Sequence, residues 1–265
     1  MRHVIRIGTS SFSEKSWIGP FYALDTEPRD MLAAYARRFD TVEIDATYYR
    51  MPSPAMCAKW AAVTPDGFGF ALKTPKQITA EKVLEGCEAD WAEFMRAVDP
   101  LGPKLRFILL QFGYFNRQSA CPTSSEFLRR LAAFLPGKER LVVEIRNPKW
   151  ISDDLLGLLR EHKVNFALTE QEWMPKPAAL WRQWGAKLLT GGAAYVRFLG
   201  ERKRIDALTE TWDKIVIDRG PEMKETVRVL QDFLDQGIPV WAYFNNHYAG
   251  HAPASVEILK KELGL

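Results

Sequence analysis

The stretch 39–50, FDTVEIDATYYR, decides how this chain is read. From Thr41 it alternates as a strand does, with Val42, Ile44 and Ala46 on one side and Glu43, Asp45, Thr47 and Tyr49 on the other. One face is apolar and the other carries two carboxylates. An exposed edge strand has this pattern. So does a barrel strand with helices outside and a working cavity inside. The rest of the chain selects between the two.

Working outward, seven more short apolar or alternating runs occur, at 5–10, 69–74, 106–112, 141–147, 164–169, 194–199 and 240–245. Helical patterns lie between them, at 29–39, 54–63, 88–98, 123–135, 153–162, 178–189, 221–236 and 253–263. Ser53 before Pro54 and Ser152 before Asp153 are start signals, and Pro136-Gly137 is a stop. The segment 202–218 is less regular and reads as a loop with a partial helix. No linker or low-complexity tract divides the chain, so one domain over 1–265 is expected. Eight strands alternating with helices over this length is the pattern of a (β/α)8 TIM barrel. An open doubly wound sheet would more often carry a Gly-rich phosphate turn after its first strand. Here that strand ends IGTSSF, at 7–12, with a single glycine.

Composition bounds the function. The 265 residues are 47% hydrophobic and 26% charged, ordinary for a folded soluble chain. A net charge of +3 permits an anionic ligand without marking a nucleic-acid binder, which would show a concentrated basic patch. Cys57, Cys87 and Cys121 are scattered and form no CxxC pair, which predicts reduced thiols in a cytoplasmic protein. The start, MRHVIRIGTS, lacks a signal-peptide layout, and no apolar run approaches membrane-spanning length, so no membrane partner is expected.

Barrel active sites lie at the carboxyl ends of the strands. Those ends carry Thr9 and Ser10, Glu43 and Asp45, Lys73, Gln111, Glu144, Arg146 and Asn147, Thr169 and Glu170, Arg197, and Asn245, Asn246 and His247. The outer face of a barrel strand packs on helices. Alternation therefore sends Glu43, Asp45, Lys73, Glu144, Arg146 and Arg197 into the lumen. Buried ion pairs such as Glu43 with Lys73, or Glu144 with Arg197, are the structural explanation. They are costly to desolvate, and apolar replacements are often neutral or stabilising, which favours a ligand pocket. Aromatics gather in the same loops, among them Phe12, Trp17, Tyr48, Tyr49, Phe115, Trp150 and Trp173. Each one alone fits loop packing, and together they suggest flat apolar walls for a sugar ring or a base.

The segments IGTSSFSEKSWIGPFY at 7–22, FDTVEIDATYYRMPS at 39–53, FALKTPKQIT at 70–79, ILLQFGYF at 108–115, VEIRNPKW at 143–150, YVRFLG at 195–200 and YFNNHYAGHAPASV at 243–256 are where the chain resembles a known family. It is similar to the YecE-like family, catalogued as domain of unknown function number 72. The resemblance implies a barrel akin to the xylose-isomerase and endonuclease IV group, and implies no settled reaction.

The leading expectation is a small anionic ligand, a phosphorylated or acidic sugar or a nucleotide-like molecule, in an enzyme or a binding protein. Glu43 or Glu144 would be the acid/base and Lys73 an electrostatic or proton-transfer partner. Arg146 and Arg197 would clamp the anion, because guanidinium suits bidentate recognition of phosphate and carboxylate. Gln111, Asn245 and Asn246 would add amides, and Tyr49 and Trp17 would form walls. Asp45 ranks below Glu43, as a residue that holds the loop. Glycoside hydrolysis by paired carboxylates is one alternative. Another is binding of nucleic acid, or phosphodiester cleavage with a divalent ion held by His247, His251, Glu43, Glu144 and Glu170. No cofactor is expected otherwise, since loop hydrogen bonding accounts for both His residues. His3 precedes the first strand and His162 ends a helix. Oligomeric state is not readable from the sequence.

Overall fold

The structure is a computed structural model that describes residues 4–265, so His3 lies outside the described residues. Eight parallel strands form its centre: β1 (Ile5–Thr9), β2 (Thr41–Ile44), β3 (Gly69–Lys73), β4 (Leu105–Gln111), β5 (Leu141–Glu144), β6 (Asn165–Gln171), β7 (Ala194–Gly200) and β8 (Val240–Phe244). Each pairs with its neighbours in sequence, and β1 pairs with β8, in register from Ile5 opposite Val240 to Thr9 opposite Phe244. The ring is a single (β/α)8 barrel, closed except for the ladder between β1 and β2.

That seam is joined by a side chain. The Tyr35 hydroxyl accepts from the Thr9 amide at 2.9 Å and donates to the Thr41 carbonyl at 3.0 Å. The two strands approach so closely that a Cβ on Gly8 would lie 2.1 Å from the Thr41 carbonyl oxygen, which requires glycine there.

Helices α1 (Met31–Ala36), α2 (Pro54–Ala62), α3 (Glu88–Val98), α4 (Ser124–Phe134), α5 (Asp153–Glu161), α6 (Pro177–Trp184), α7 (Arg202–Asp206), α8 (Gly220–Asp235) and α9 (Ala252–Glu262) lie outside the sheet. The expected caps at Ser53 and Ser152 form, accepting from the amides of Met56 and Leu155, and Thr123 is a further cap, accepting from the Glu126 amide, which satisfies donors that a helix start leaves unpaired. Among the described residues no helix is long and apolar enough to cross a membrane. The three cysteines are free and buried.

Alternation sorts the core into two clusters. Val42, Ile44, Phe70, Leu72, Ile108, Leu110, Val143, Val196 and Phe198 face outward and pack with the helices. Ala71, Phe107, Leu109, Val142, Ala167, Tyr195, Trp241 and Tyr243 face inward and fill the lumen. Phe107 meets Tyr195 and Trp241 edge-on at 5.3 and 5.2 Å. A Cβ on Gly69 would come within 2.7 Å of the Trp241 ring, so that indole uses the space a side chain would take. The lumen is therefore plugged at the amino-terminal end of the strands.

The second strand is shorter than expected. β2 ends at Ile44, and Asp45–Tyr48 is a 3-10 turn. Strand alternation thus stops before Asp45, and Ala46, Thr47 and Tyr49 are placed by the turn. The segment 202–218 is, as expected, a loop with a partial helix, and that helix is α7, which brings Arg202 beside the barrel mouth.

Candidate functional site

Above the aromatic plug, four strands turn from an apolar inward position to a polar one two residues further along. Ala71 is followed by Lys73, Leu109 by Gln111, Val142 by Glu144, and Tyr195 by Arg197. These residues meet at the carboxyl ends of the strands.

Arg197 is the hub of the arrangement. It is 1% exposed. Its Nε and Nη2 grip Glu43, with Nη2 at 2.7 Å from Oε1, while Nη1 reaches Glu144 Oε2 at 2.6 Å. Nη2 also meets Asp45 Oδ1 at 3.0 Å. The Tyr195 hydroxyl, from the plug below, donates to Glu43 Oε2 at 2.5 Å. Glu144 Oε1 accepts from Arg146 Nε at 3.0 Å, and Arg146 Nη2 donates to Gln111 Oε1 at 3.1 Å. Both glutamates have no exposure, and all four of their carboxylate oxygens are engaged.

Their electrostatics differ. Burial pushes the Glu43 carboxyl upward, against the pull of Arg197. Burial acts the same way on Glu144. There the Arg197 and Arg146 guanidiniums and the Arg197 hydrogen bond outweigh it and hold the group at about 2. With one guanidinium between them, Glu43 and Glu144 position Arg197 and Arg146 and do not reach the cavity surface. The expected pairing of Glu144 with Arg197 is present. Glu43 pairs with Arg197, not with Lys73.

Over this layer lies a cavity of about 460 Å³, lined by Asp45, Tyr48, Tyr49, Lys73, Gln111, Arg146, Gln171, Trp173, Arg197, Leu199, Gly200, Arg202, Asn245 and His247. Lys73 is 7% exposed, and its Nζ sits 4.0 Å from the centre of the Tyr48 ring. Among the described residues no carboxylate lies within 4.0 Å of that ammonium. Burial lowers its pKa, Arg197 and Arg146 act in the same sense, and Asp45 and Glu144 oppose them. The Thr47 hydroxyl fixes the end of β3 by reaching the Lys73 carbonyl at 2.6 Å.

The structure brings Lys73, Gln111, Arg146, Arg197, Asn245 and Tyr49 to one cavity. It keeps two expected wall and amide residues out. Trp17 is completely buried among Phe21, Tyr22 and His251, because its loop folds back onto the barrel. Asn246 is used structurally, its Oδ1 accepting from the Ala252 amide at the start of α9 and from Trp17 Nε1. Most of the other rim aromatics pack on each other, as Phe112, Phe115, Phe127 and Trp150 do. Tyr48, Tyr49 and Trp173 are the aromatics at the cavity.

Asp45, expected at the rim but below Glu43 in rank, has a side chain 27% exposed and is the carboxylate on the cavity wall. Gln171 and Arg202 line the cavity without having been candidates in the sequence. Gln171 extends β6 two residues past its expected end. Alternation from Ala167 and Thr169 would have pointed it inward had the strand been continued. It is 4% exposed, and its Oε1 has no hydrogen-bond partner.

The donor set weighed for a divalent ion is dispersed. Glu170 faces outward, bonded to Thr226 at 2.9 Å and to Lys176 at 2.8 Å. His251 Nδ1 meets the Trp212 carbonyl at 2.6 Å. His247 lies between Asn245 Oδ1 at 2.7 Å and Asp206 Oδ1 at 3.0 Å. Among the described residues no three His, Cys, Asp or Glu side chains are grouped to hold a metal. These residues do not fit a metal centre.

The chain is similar to known proteins over its whole length. A DUF72 family protein from Thermotoga maritima MSB8 superposes with a TM-score of 0.78 at 26% identity, covering 99% of this chain and 100% of that one. A xylose isomerase-like TIM barrel/4-hydroxyphenylpyruvate dioxygenase fusion protein, 13% identical with a TM-score of 0.50 over 98% of this chain and 42% of that one, shares the fold. The UPF0759 protein YecE of Escherichia coli (strain K12) is 29% identical over 149 residues, 56% of this chain and 51% of that protein. The chain spans about half the length of the curated relatives it matches. Residues 6–265 match the family described as protein of unknown function DUF72, and the chain belongs to that family.

Proposed function

We propose that the cavity at the barrel mouth binds a small anionic, hydroxylated molecule, a phosphorylated or acidic sugar, and serves acid/base chemistry on it. The carrying observation is Lys73. A buried ammonium without a carboxylate partner is unfavourable unless a ligand supplies the negative charge. Arg146 stands beside it, fixed through Nε and Nη2, with no protein acceptor on Nη1 among the described residues. A guanidinium held this way is pre-organised for phosphate or carboxylate.

The unpartnered Gln171 Oε1 favours a ligand that also donates, as a sugar hydroxyl does. The cavity volume suits a molecule of that size. Asp45 is the candidate acid/base because it lines the cavity. Glycoside hydrolysis by Glu43 and Glu144 is not favoured, since a carboxylate pair for that reaction must leave space for the sugar and the Arg197 guanidinium fills it.

Thermal-shift screening of sugar phosphates, sugar acids and nucleotides, with and without divalent metal, tests the reading. At least one such anion should raise the melting temperature of the parent protein, and Lys73→Met and Arg146→Gln should each abolish the rise. Retention of the rise in both variants would overturn the assignment. A rise produced instead by DNA, falling steeply with added salt, would replace it with a nucleic-acid site.

A further inference from the structure

We infer that Lys73 is a nucleophile that forms an imine with its ligand, so that the substrate class is an aldehyde or ketone bearing a carboxylate or phosphate. This rests on the anion-binding reading above and goes further by assigning a covalent step.

The geometry separates Lys73 from every other cation of the site. Arg197 is locked by three carboxylates and Arg146 by Glu144 and Gln111. Arg202 is near Asp206, at 3.5 Å. Lys73 is the amine on the cavity wall, and among the described residues its Nζ has no hydrogen-bond acceptor. The Tyr48 ring covers one side of it. An amine in such a setting is desolvated, and burial favours its neutral form, the form that attacks carbonyl carbon. Arginine cannot do this, because it stays protonated.

A proton carrier is close at hand. Asp45 is the cavity's carboxylate, tied to Arg197 through Oδ1, which leaves Oδ2 without a partner among the described residues. The step balances as follows. The neutral Nζ adds its lone pair to the carbonyl carbon, and the C=O π electrons move to oxygen, which takes up one proton from solvent, the proton that the imine finally carries as its charge. Asp45 accepts one proton from nitrogen and returns it to the carbinolamine hydroxyl. The C–O bond breaks, water leaves, and the nitrogen lone pair closes the C=N bond as a protonated imine. No oxidant or reductant is required. Arg146 would hold the anionic group, which restricts the partner to charged carbonyl compounds.

The test is reductive trapping on the intact parent chain. Pyruvate and glyceraldehyde 3-phosphate are each added with cyanoborohydride, followed by intact mass and peptide mapping. Acetaldehyde is the uncharged control. Modification should concentrate on Lys73 ahead of all other lysines, should be suppressed by inorganic phosphate, and should be weakened in Arg146→Gln. Adducts spread over surface lysines, with Lys73 unmodified while phosphate still raises the melting temperature, would overturn the imine and leave the anion site standing. If phosphate, the sugar phosphates and the sugar acids all fail to shift the melting temperature and Lys73 is unmodified, both readings fall. Labelling of Lys73 by acetaldehyde as readily as by pyruvate would overturn the charged-carbonyl class.

Discussion

The lower and upper halves of the barrel lumen are built by the same strands, two residues apart, and they do opposite things. Below, Phe107, Tyr195, Trp241 and Tyr243 interlock into an apolar plug. Above, Glu43, Glu144, Arg197 and Lys73 place four ionisable groups at 7% exposure or less. The plug needs no explanation beyond burial of apolar area. The charged layer does, since ion pairs taken out of water seldom repay their desolvation. The Tyr195 hydroxyl joins the two halves by donating to Glu43. Within the charged layer the work divides again. Glu43 and Glu144 pair with Arg197 and Arg146, and Lys73 makes no ion pair among the described residues. The comparison therefore separates a floor that holds itself together from a wall that faces a ligand.

Removing the hub should be the severest test of that division. Arg197→Leu would leave Glu43 and Glu144 buried without their main cation, at a cost of about 4 kcal/mol in urea unfolding. A loss under about 1 kcal/mol would mean that water already reaches the layer and that the self-contained floor does not exist. Phe107→Ala, in the plug, should cost about 3 kcal/mol, at the low end for a buried aromatic because Phe107 keeps 8% exposure at the other end of the barrel. It should leave anion-induced thermal shifts unchanged. If it abolishes them, the halves are coupled and the comparison fails.

The barrel itself was legible in the sequence because two periodicities were. Period-two runs alternate with helical ones, and charges fall on the strand face that cannot meet helices. Alternation placed Lys73, Glu144 and Arg197 inward because each lies on a continuous strand. The strand ends were less legible: at Asp45, which does line the cavity, the strand gives way to a 3-10 turn, and at Gln171 the strand runs on past its expected end. Partner choice was the larger gap. Which carboxylates surround Arg197 depends on how β2, β5 and β7 converge across the ring, and no local pattern encodes that. Trp17 shows the same limit, since a loop aromatic can turn toward a cavity or back onto the barrel.

A pH experiment sharpens the contrast within the floor. Glu144 titrates at about 2 in the folded protein against an ordinary value of 4.5. Its stabilisation is complete above the ordinary value and is lost as pH falls toward 2, an effect of about 3 kcal/mol. Glu43 is shifted upward, so acidification costs the fold nothing through that group. Glu144→Gln should therefore be the less stable protein near neutrality, and its unfolding free energy should converge on that of the parent near pH 2. Parallel curves over that interval would show that Glu144 is not the group its two arginines hold ionised.

The smallest expected effect has the opposite sign, which makes it the sharpest discriminator between floor and wall. Lys73 is buried and lacks an ion-pair partner among the described residues, and its pKa lies below the ordinary 10.5. A lysine whose folded pKa is depressed costs stability while it is charged, and that cost fades as pH rises toward the ordinary value. Lys73→Met, similar in length and apolar, should raise stability by about 1 kcal/mol at neutral pH, with the gain gone near pH 10.5. The same variant should lose the anion response. A protein made more stable and less able to bind by one substitution is carrying a charge for its ligand rather than for its fold. If Lys73→Met instead destabilises the protein as Arg197→Leu does, Lys73 belongs to the floor, and the cavity has no cation reserved for a ligand.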